Sequence, residues 1–334
     1  MTRTGLRRTK IASLATHVPP KLLTNKDLER MVETSDEWIL QRTGIRERHI
    51  VDAGVATSDL AKEAALKAIA QAGLTPADID FIVVGTTTPD TIFPSTACML
   101  QEKIGAPHAW GFDLGAACSG FTYAVTTAAH MVAAGTHKHA LAVGADVMSS
   151  IIDYTDRTTC VLFGDGAGAV VLAPAEEGEP HIIDFAHIID GSGGPALCMP
   201  AGGSKMPASH ETVDKRLHYV KQEGATVFKF AVKNTEEIAR RLLGRNNLEP
   251  SQLDLFVSHQ ANRRIIEAST ERLGLGPDKV IINLEMYGNT TAATIPLALA
   301  DAMRQKRLKK GDLVLLTSVG AGFTVGAVLL RWSL

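Results

Sequence analysis

The sequence lacks paired cysteines, an excess of charge of either sign and any long apolar run. Its four cysteines, Cys98, Cys118, Cys160 and Cys198, form no Cys-x-x-Cys pair, so their spacing indicates neither a zinc site nor a disulfide framework. The net charge is −2, which gives no reason to expect nucleic acid or an anionic membrane as a partner. No apolar run approaches the length of a membrane span, so we expect no membrane insertion.

A secretory signal peptide is also missing from the N-terminus. Residues 1–10 are basic, but residues 11–20 are too short and too interrupted by polar residues and proline to form its apolar region. We therefore expect a cytoplasmic protein with reduced thiols. The 334 residues are 45% hydrophobic, enough for a sizeable core in one large domain or two ordinary ones.

Two distant stretches of the chain resemble each other. Residues 74–83 and 248–257 both read Leu-x-Pro-x-x-aliphatic-Asp followed by an apolar strand, and a predicted helix precedes each. The first of these helices is predicted to begin at Ser58, as its N-cap, and to stop at Gly73. Strands that alternate with helices predict an α/β protein.

The repeat extends to the ends of two halves. An apolar strand closes each half, at residues 169–172 and 327–330. We therefore predict two similar halves, residues 1–174 and 175–334. The alternative is a coincidence between two ordinary helix–strand units.

Cys118 is the most informative residue of the chain. The Gly/Ala-rich segment 113–117 leads to it, and a predicted helix over 121–134 follows. Backbone N–H groups and the dipole of a helix N-terminus stabilise a thiolate, by up to about 2 kcal/mol. We therefore expect a Cys118 pKa near neutrality and a nucleophilic role, whereas the other three cysteines are expected to be small buried hydrophobes.

Two polar residues far downstream complete a candidate site. His259 follows the apolar strand 255–257, at the strand end where open α/β sheets place catalytic groups. Asn289 opens the segment 290–303, which corresponds to the helix after Cys118. A neutral His N–H and an Asn amide can stabilise the enolate that forms when a malonyl thioester loses CO₂. Towards Cys118, His259 would act as a base or as a hydrogen-bond partner.

A glycine-rich loop, residues 320–324, precedes the final strand. A tight turn there can bring the backbone N–H of Gly322 beside that of Cys118, as an oxyanion hole for a tetrahedral intermediate. The segments together predict a Cys/His/Asn site that forms an acyl-enzyme.

These segments resemble β-ketoacyl-acyl carrier protein synthase III of the thiolase superfamily, which initiates bacterial fatty-acid synthesis. The resemblance covers nearly the whole chain and implies a thiolase-like α/β fold, with two similar halves in a layered α-β-α-β-α arrangement. Besides the Cys118, His259, Asn289 and glycine-loop segments, it rests on Asp36-Glu37-Trp38-Ile39, residues 42–50, Phe93-Pro94-Ser95, Thr155-Asp156-Arg157 and residues 163–169.

The resemblance also implies a homodimer and a ping-pong reaction. An acyl-CoA acylates Cys118, and malonyl-acyl carrier protein then loses CO₂ against His259 and Asn289. The resulting carbanion attacks the acyl-cysteine to give a β-ketoacyl-acyl carrier protein. No metal or other cofactor is implied, because acyl-CoA is a substrate.

Further residues match binding positions of the family. Trp38, Arg42, Arg157 and Asn262 match contacts to CoA, for which indole and guanidinium groups are well suited. Arg264 and Lys229 match basic residues that contact phosphopantetheine or the acidic carrier protein. Phe93 matches an aromatic residue that reaches across the dimer to the end of the acyl pocket.

Other functions fit the sequence less well. Gly164-x-Gly166-x-Gly168 precedes a strand rather than a helix, so a dinucleotide-binding oxidoreductase is disfavoured. A degradative thiolase would need a second cysteine in the closing loop, and none follows Cys198. The remaining alternative is a specialised paralogue that primes polyketide, quinolone or other secondary-metabolite synthesis. An acyl-loading transferase that never decarboxylates malonate is a weaker one.

Overall fold

The computed structural model describes residues 6–334. Its strands are β1 (Thr9–His17), β2 (Leu22–Thr24), β3 (Glu47–His49), β4 (Phe81–Gly85), β5 (Trp110–Leu114), β6 (Ala140–Asp146), β7 (Gly166–Pro174), β8 (Ile182–Ile189), β9 (Leu197–Cys198), β10 (Lys221–Gln222), β11 (Leu255–Ser258), β12 (Leu313–Gly320) and β13 (Thr324–Arg331). Its α-helices are α1 (Asn25–Leu28), α2 (Asp36–Thr43), α3 (Thr57–Gln71), α4 (Thr96–Ile104), α5 (Gly120–Ala133), α6 (Arg157–Cys160), α7 (His210–Asp214), α8 (Gly224–Arg245), α9 (Arg263–Leu273), α10 (Leu284–Tyr287) and α11 (Thr294–Arg304).

Two mixed sheets repeat one strand order. The first sheet runs β1-β7-β6-β4-β5, with β4 parallel to β5 and β6 and with antiparallel pairs elsewhere. The second runs β11-β12-β13-β8, and there β11 and β12 form the parallel pair. An isolated parallel bridge between Phe256 and Val280 lies beside β11, in the position that β5 has in the first sheet. This repeat supports the predicted boundary at residue 174, which remains a prediction.

Helices and sheets alternate in five layers. The largest apolar cluster contains residues of α5, α11 and both sheets, so these two helices form the central layer. Apolar faces of α3 and α4 cover the outer side of the first sheet. Helices α8 and α9 cover the outer side of the second. The predicted layered thiolase-like arrangement is confirmed.

One predicted helix start is wrong by two residues. Helix α3 begins after Ala56, whose N–H is accepted by the Asp59 carboxylate, whereas Ser58 lies inside the first turn. The Ser58 hydroxyl donates instead to Asp90, which is why it does not cap the helix. The predicted stop before Gly73 is correct, because the helix ends at Gln71.

Each central helix is entered through a short 3₁₀ turn whose first residue has a left-handed backbone. The turn Ala117–Ser119 opens on Ala117, at φ 47°, and leads into α5. The turn Thr291–Ala293 opens on Thr291, at φ 53°, and leads into α11. The left-handed region costs a non-glycine residue energy, so tertiary contacts must hold both turns. Cys118 therefore lies in a tight turn just before a helix rather than at the first helical residue.

Within residues 6–334, no helix is both long and apolar enough to cross a lipid bilayer.

Candidate active site

A cavity of about 530 Å³ brings the three predicted catalytic residues together. Cys118 reaches it from the turn before α5, His259 from the residue after β11, and Asn289 from the segment between α10 and α11. The nucleophile thus comes from the part of the chain that contains the first sheet. Both polar partners come from the part that contains the second sheet. The sequence predicted this convergence from strand and helix ends.

The glycine-rich closing loop is tied to the Cys118 turn by hydrogen bonds. The Thr324 hydroxyl donates to the Ala116 carbonyl at 2.8 Å, and the Ser119 hydroxyl donates to the Thr324 carbonyl at 3.2 Å. A Cβ on Gly320 would lie 2.8 Å from the Cys118 nitrogen, so only glycine fits this approach. Gly320 lines the cavity and Gly322 does not, within residues 6–334, so the oxyanion-hole role of Gly322 remains a prediction.

Burial controls the Cys118 thiol. Its side chain is 7% exposed, and burial raises its pKa to about 12. The Asp146 carboxylate also raises this pKa, whereas the backbone N–H of Cys118 lowers it. The resting thiol is therefore protonated, and the predicted pKa near neutrality is wrong. Desolvation of the thiolate in this buried turn outweighs the stabilisation expected at a helix N-terminus.

Asp146 links the turn after Asn289 to the first sheet, and sequence reasoning missed it. Its Oδ1 accepts hydrogen bonds from backbone and hydroxyl groups of three consecutive threonines after β4, residues 86–88. Its Oδ2 accepts the N–H of Ala292 at 3.1 Å, so the turn after Asn289 is held against the first sheet. A carboxylate that ends the apolar strand 140–146 is the sequence signal that could have identified it.

His259 is neutral and anchored at two points. Burial lowers its pKa to about 3, because a charged imidazolium would lose its hydration. Its backbone N–H donates to the Thr317 carbonyl at 2.8 Å, which continues the pairing of β11 with β12. Its Nδ1 lies 2.7 Å from the Thr294 hydroxyl oxygen, which leaves Nε2 for the cavity. The prediction of a neutral histidine fits this environment.

Asn289 is held by backbone bonds on one side and by its own amide oxygen on the other. Its N–H donates to the Leu162 carbonyl at 2.8 Å, and its carbonyl accepts the N–H of Gly164 at 3.1 Å. The amide Oδ1 accepts the N–H of Thr291 at 2.9 Å. The amide is therefore oriented, and its Nδ2 has no partner among residues 6–334. This donor group is available to a substrate oxygen.

Gly164 allows the chain to approach Asn289, and its replacement gives a testable prediction. A Cβ on Gly164 would lie 2.4 Å from the Tyr287 carbonyl oxygen, which the backbone cannot relieve without moving the Asn289 segment. We expect Gly164→Ala to slow malonyl decarboxylation by about 100-fold, because a displacement near 1 Å has effects of that size. Release of CO₂ from malonyl-acyl carrier protein measures it.

Gly244→Ala is the matched control for this change, because a Cβ at Gly244 in α8 would meet nothing within 4 Å. The control should keep the wild-type rate. Equal rates in the two variants would show that the Gly164 approach does not position Asn289.

Most of the predicted binding residues line the same cavity. Trp38, Arg42, Asn262, Arg264 and Lys229 are all among its lining residues. Arg157 is not in that set, but its guanidinium stacks over the Trp38 ring, 5.1 Å from the centroid. Trp38 and Arg157 therefore form one aromatic and cationic surface beside the cavity, and its contact with CoA remains a prediction.

Asn262 has a structural use that the sequence did not reveal. Its Oδ1 accepts the N–H of Arg264 and caps α9, and its Nδ2 donates to the Arg42 carbonyl at 3.0 Å. Both polar groups of this side chain are thus engaged within the protein. The residue positions Arg42 and Arg264, and a direct contact of Asn262 with CoA remains a prediction.

Phe93 lies outside this chain's cavity. Its side chain is 84% exposed, beside the equally exposed Ile92, and it is absent from the lining residues among the described part of the chain. Within the cavity, sequence reasoning missed Phe323, which stacks on Phe230 with ring centroids 4.1 Å apart.

Comparisons with known proteins find relatives over nearly the whole chain. Residues 112–191 match the family model of 3-oxoacyl-[acyl-carrier-protein] synthase III, and residues 243–332 match the model of its C-terminal part. The β-ketoacyl-[acyl-carrier-protein] synthase III of Koribacter versatilis is 57% identical over 331 residues, covering 99% of each chain.

Solved structures share the fold over its full length. The crystal structure of 3-oxoacyl-(acyl carrier protein) synthase III from Pseudomonas aeruginosa is 39% identical with a TM-score of 0.91, covering 98% of this chain and 99% of that one. A priming β-ketosynthase from a polyketide pathway is 33% identical with a TM-score of 0.90, covering 99% of each chain.

Proposed function

This chain belongs to the β-ketoacyl-[acyl-carrier-protein] synthase III family, and we propose that Cys118, His259 and Asn289 divide the family's reaction between them. The enzyme condenses an acyl-CoA primer with malonyl-acyl carrier protein and so initiates fatty-acid synthesis. The convergence of these three side chains on one cavity is the observation that carries our assignment of their roles.

Cys118 carries out the first half-reaction. Its sulfur bonds to the carbonyl carbon of the acyl-CoA, the bond from that carbon to the CoA sulfur breaks, and the thiol proton ends on the departing CoA. In the tetrahedral intermediate, the oxyanion would accept hydrogen bonds from the backbone N–H groups of Cys118 and Gly322. The close approach of Gly320 to the Cys118 nitrogen supports this arrangement.

His259 and Asn289 carry out the second half-reaction. The malonyl group loses CO₂, and the electron pair of the broken C–C bond passes to the thioester oxygen as an enolate. Nε2 of His259 and Nδ2 of Asn289 would both donate to that oxygen. The enolate carbon then bonds to the acyl carbon, the bond to the Cys118 sulfur breaks, and a solvent proton restores the thiol. The proposed steps use protein groups, the two substrates and one solvent proton.

The cavity also suggests how each carrier is held. Trp38 with Arg157 would hold the CoA adenine, Arg42 its phosphates, and Lys229 with Arg264 the pantetheine arm or the acidic carrier protein. The cationic end of Arg264 lies over the Phe228 ring at the cavity wall, 5.7 Å from its centroid, which supports this placement.

A homodimer is part of the proposal. Strand β5 is the edge of the first sheet, and its Trp110 is 51% exposed. An open edge with exposed apolar side chains favours pairing with a second chain. Phe93, which is 84% exposed, would then reach the acyl pocket of the other subunit.

A specialised paralogue is not favoured. The relative that bears the synthase III name is 57% identical to this chain, against 33% for the polyketide priming enzyme.

Intact-protein mass spectrometry after incubation with a panel of acyl-CoAs tests the function. We expect acetyl or branched short-chain adducts confined to the peptide that contains Cys118, and CO₂ release when malonyl-acyl carrier protein follows. A preference for long or aromatic acyl groups would indicate the specialised alternative. No adduct from any acyl-CoA would overturn the nucleophile assignment.

The lowered pKa of His259 predicts an unusual pH profile. A histidine with an ordinary pKa near 6.5 would become protonated, and lose its function as a neutral donor, as the pH falls through that value. Since burial lowers the pKa of His259 to about 3, we expect the single-turnover decarboxylation rate to stay constant from about pH 8 to about pH 5. A decline with a midpoint near 6.5 would contradict this.

A further inference from the structure

The hydroxyl of Thr294 is the one side-chain partner of the His259 ring among residues 6–334. The distance from Thr294 Oγ1 to His259 Nδ1 is 2.7 Å, and both side chains are buried. Thr294 is the first residue of α11 and is held by that helix rather than by a mobile loop. The proposed function gives Thr294 no role.

Two proton arrangements are possible for this pair. In one, Nδ1–H of His259 donates to the Thr294 oxygen, and the hydroxyl proton points at the Thr291 carbonyl, 3.1 Å away. Nε2 then carries a lone pair and is a base. In the other, the hydroxyl donates to Nδ1, and Nε2 carries the proton and is a hydrogen-bond donor.

The distances favour the second arrangement. Hydroxyl donors form shorter bonds than N–H donors do: the commonest length is about 2.7–2.8 Å for O–H···O and about 2.9–3.0 Å for N–H···O, the type of bond that Nδ1–H would make to Thr294. The contact of 2.7 Å to Nδ1 has the length of a hydroxyl donor, and the 3.1 Å contact to Thr291 is long for one. The single hydroxyl proton therefore belongs between Thr294 and His259.

We propose that Thr294 is a positioning residue that holds His259 as the tautomer with its proton on Nε2, and so fixes it as a donor to the substrate rather than a base. The inference rests on the proposed function and deepens it. It leaves His259 without the lone pair that would accept the Cys118 proton. The Cys118 proton is therefore transferred to the departing CoA sulfur, and the His259 imidazole does not accept it on the way.

The two half-reactions should therefore respond differently when the hydroxyl is removed. Thr294→Val keeps the shape of the side chain but leaves Nδ1 without a donor, so the ring loses its anchor. We expect malonyl decarboxylation to fall about 10-fold, and acylation of Cys118 by acyl-CoA to stay within about two-fold of wild type. Single-turnover CO₂ release and the rate of adduct formation measure the two steps.

Two further variants distinguish positioning from general damage. Thr294→Ser retains the hydroxyl and should restore decarboxylation. Thr290, four residues before Thr294, has a buried hydroxyl with no hydrogen-bond partner within residues 6–334. Thr290→Val removes that hydroxyl and should leave both rates unchanged. If Thr294→Val slows acylation at least as much as decarboxylation, His259 acts as a base and the proposal is wrong.

The wild-type enzyme gives a direct test that does not depend on folding of a variant. Selective ¹⁵N labelling of histidine, with assignment by loss of a signal in His259→Gln, shows which ring nitrogen carries the proton. We expect the proton on Nε2, and a proton on Nδ1 would overturn the proposal. A wild-type enzyme that forms no acyl adduct and releases no CO₂ would refute the proposed function instead.

Discussion

Cys118→Ala is expected to abolish acyl transfer while malonyl decarboxylation continues. Alanine removes the sulfur that bonds the acyl group, so no covalent intermediate can form and condensation should fall by at least about 1,000-fold. His259 and Asn289 are untouched, because their hydrogen bonds go to the Thr317 carbonyl, to Thr294 and Thr291, and to the 162–164 segment. Mass spectrometry of the acyl adduct and assay of CO₂ measure the two activities separately.

Cys98→Ala is the control for this variant. Cys98 is exposed near the start of α4, unlike Cys118, so the expectation that it is buried is wrong. It does not line the cavity among the described residues. The Cys98→Ala protein should form the acyl adduct at the wild-type rate. If the Cys118→Ala protein still carried an acyl group, a different residue would be the nucleophile.

Asn289→Ala should show the opposite pattern. The substitution removes Nδ2, one of two donors to the enolate oxygen, and the loss of one such donor costs about 100- to 1,000-fold in rate. The backbone bonds of residue 289 to Leu162 and Gly164 do not depend on its side chain, so the local fold should survive. Acylation of Cys118 should stay close to wild type, and CO₂ release should fall by the stated factor.

Asn246→Ala provides the comparison. This asparagine caps the end of α8 and donates to Asp184 and to the Leu242 carbonyl, away from the cavity. Its loss should reduce stability without changing the ratio of the two half-reactions. An Asn289→Ala enzyme that decarboxylates at the wild-type rate would remove Asn289 from the mechanism.

Sequence patterns predicted the residues of this site because the site residues lie next to the ends of helices and strands. Cys118 precedes a helix, and His259 follows a strand. Such positions can be read from periodicity and glycine placement, and the repeat then implies that they meet. The layered fold follows from the same alternation of strands and helices.

The parts that sequence could not predict depend on contacts between distant segments. The pKa of Cys118 depends on its burial and on Asp146. The Asp146 carboxylate also accepts the N–H of Ala292, which is 146 residues away in the sequence. The bonds of Asn262 to the Arg42 carbonyl and to the N–H of Arg264 were likewise not predicted, because the first of them joins segments 220 residues apart. Long-range side-chain partners of this kind leave no local pattern.

The protonated and buried state of Cys118 has a consequence for oxidative damage. Peroxides attack thiolates, and oxidation beyond the sulfenic acid is largely irreversible. A nucleophile that is 7% exposed and held as a thiol, with a pKa raised to about 12, resists that attack between turnovers. The Cys118 sulfur is therefore protected from oxidation when no primer is bound. The same protonated state slows its attack on the acyl-CoA.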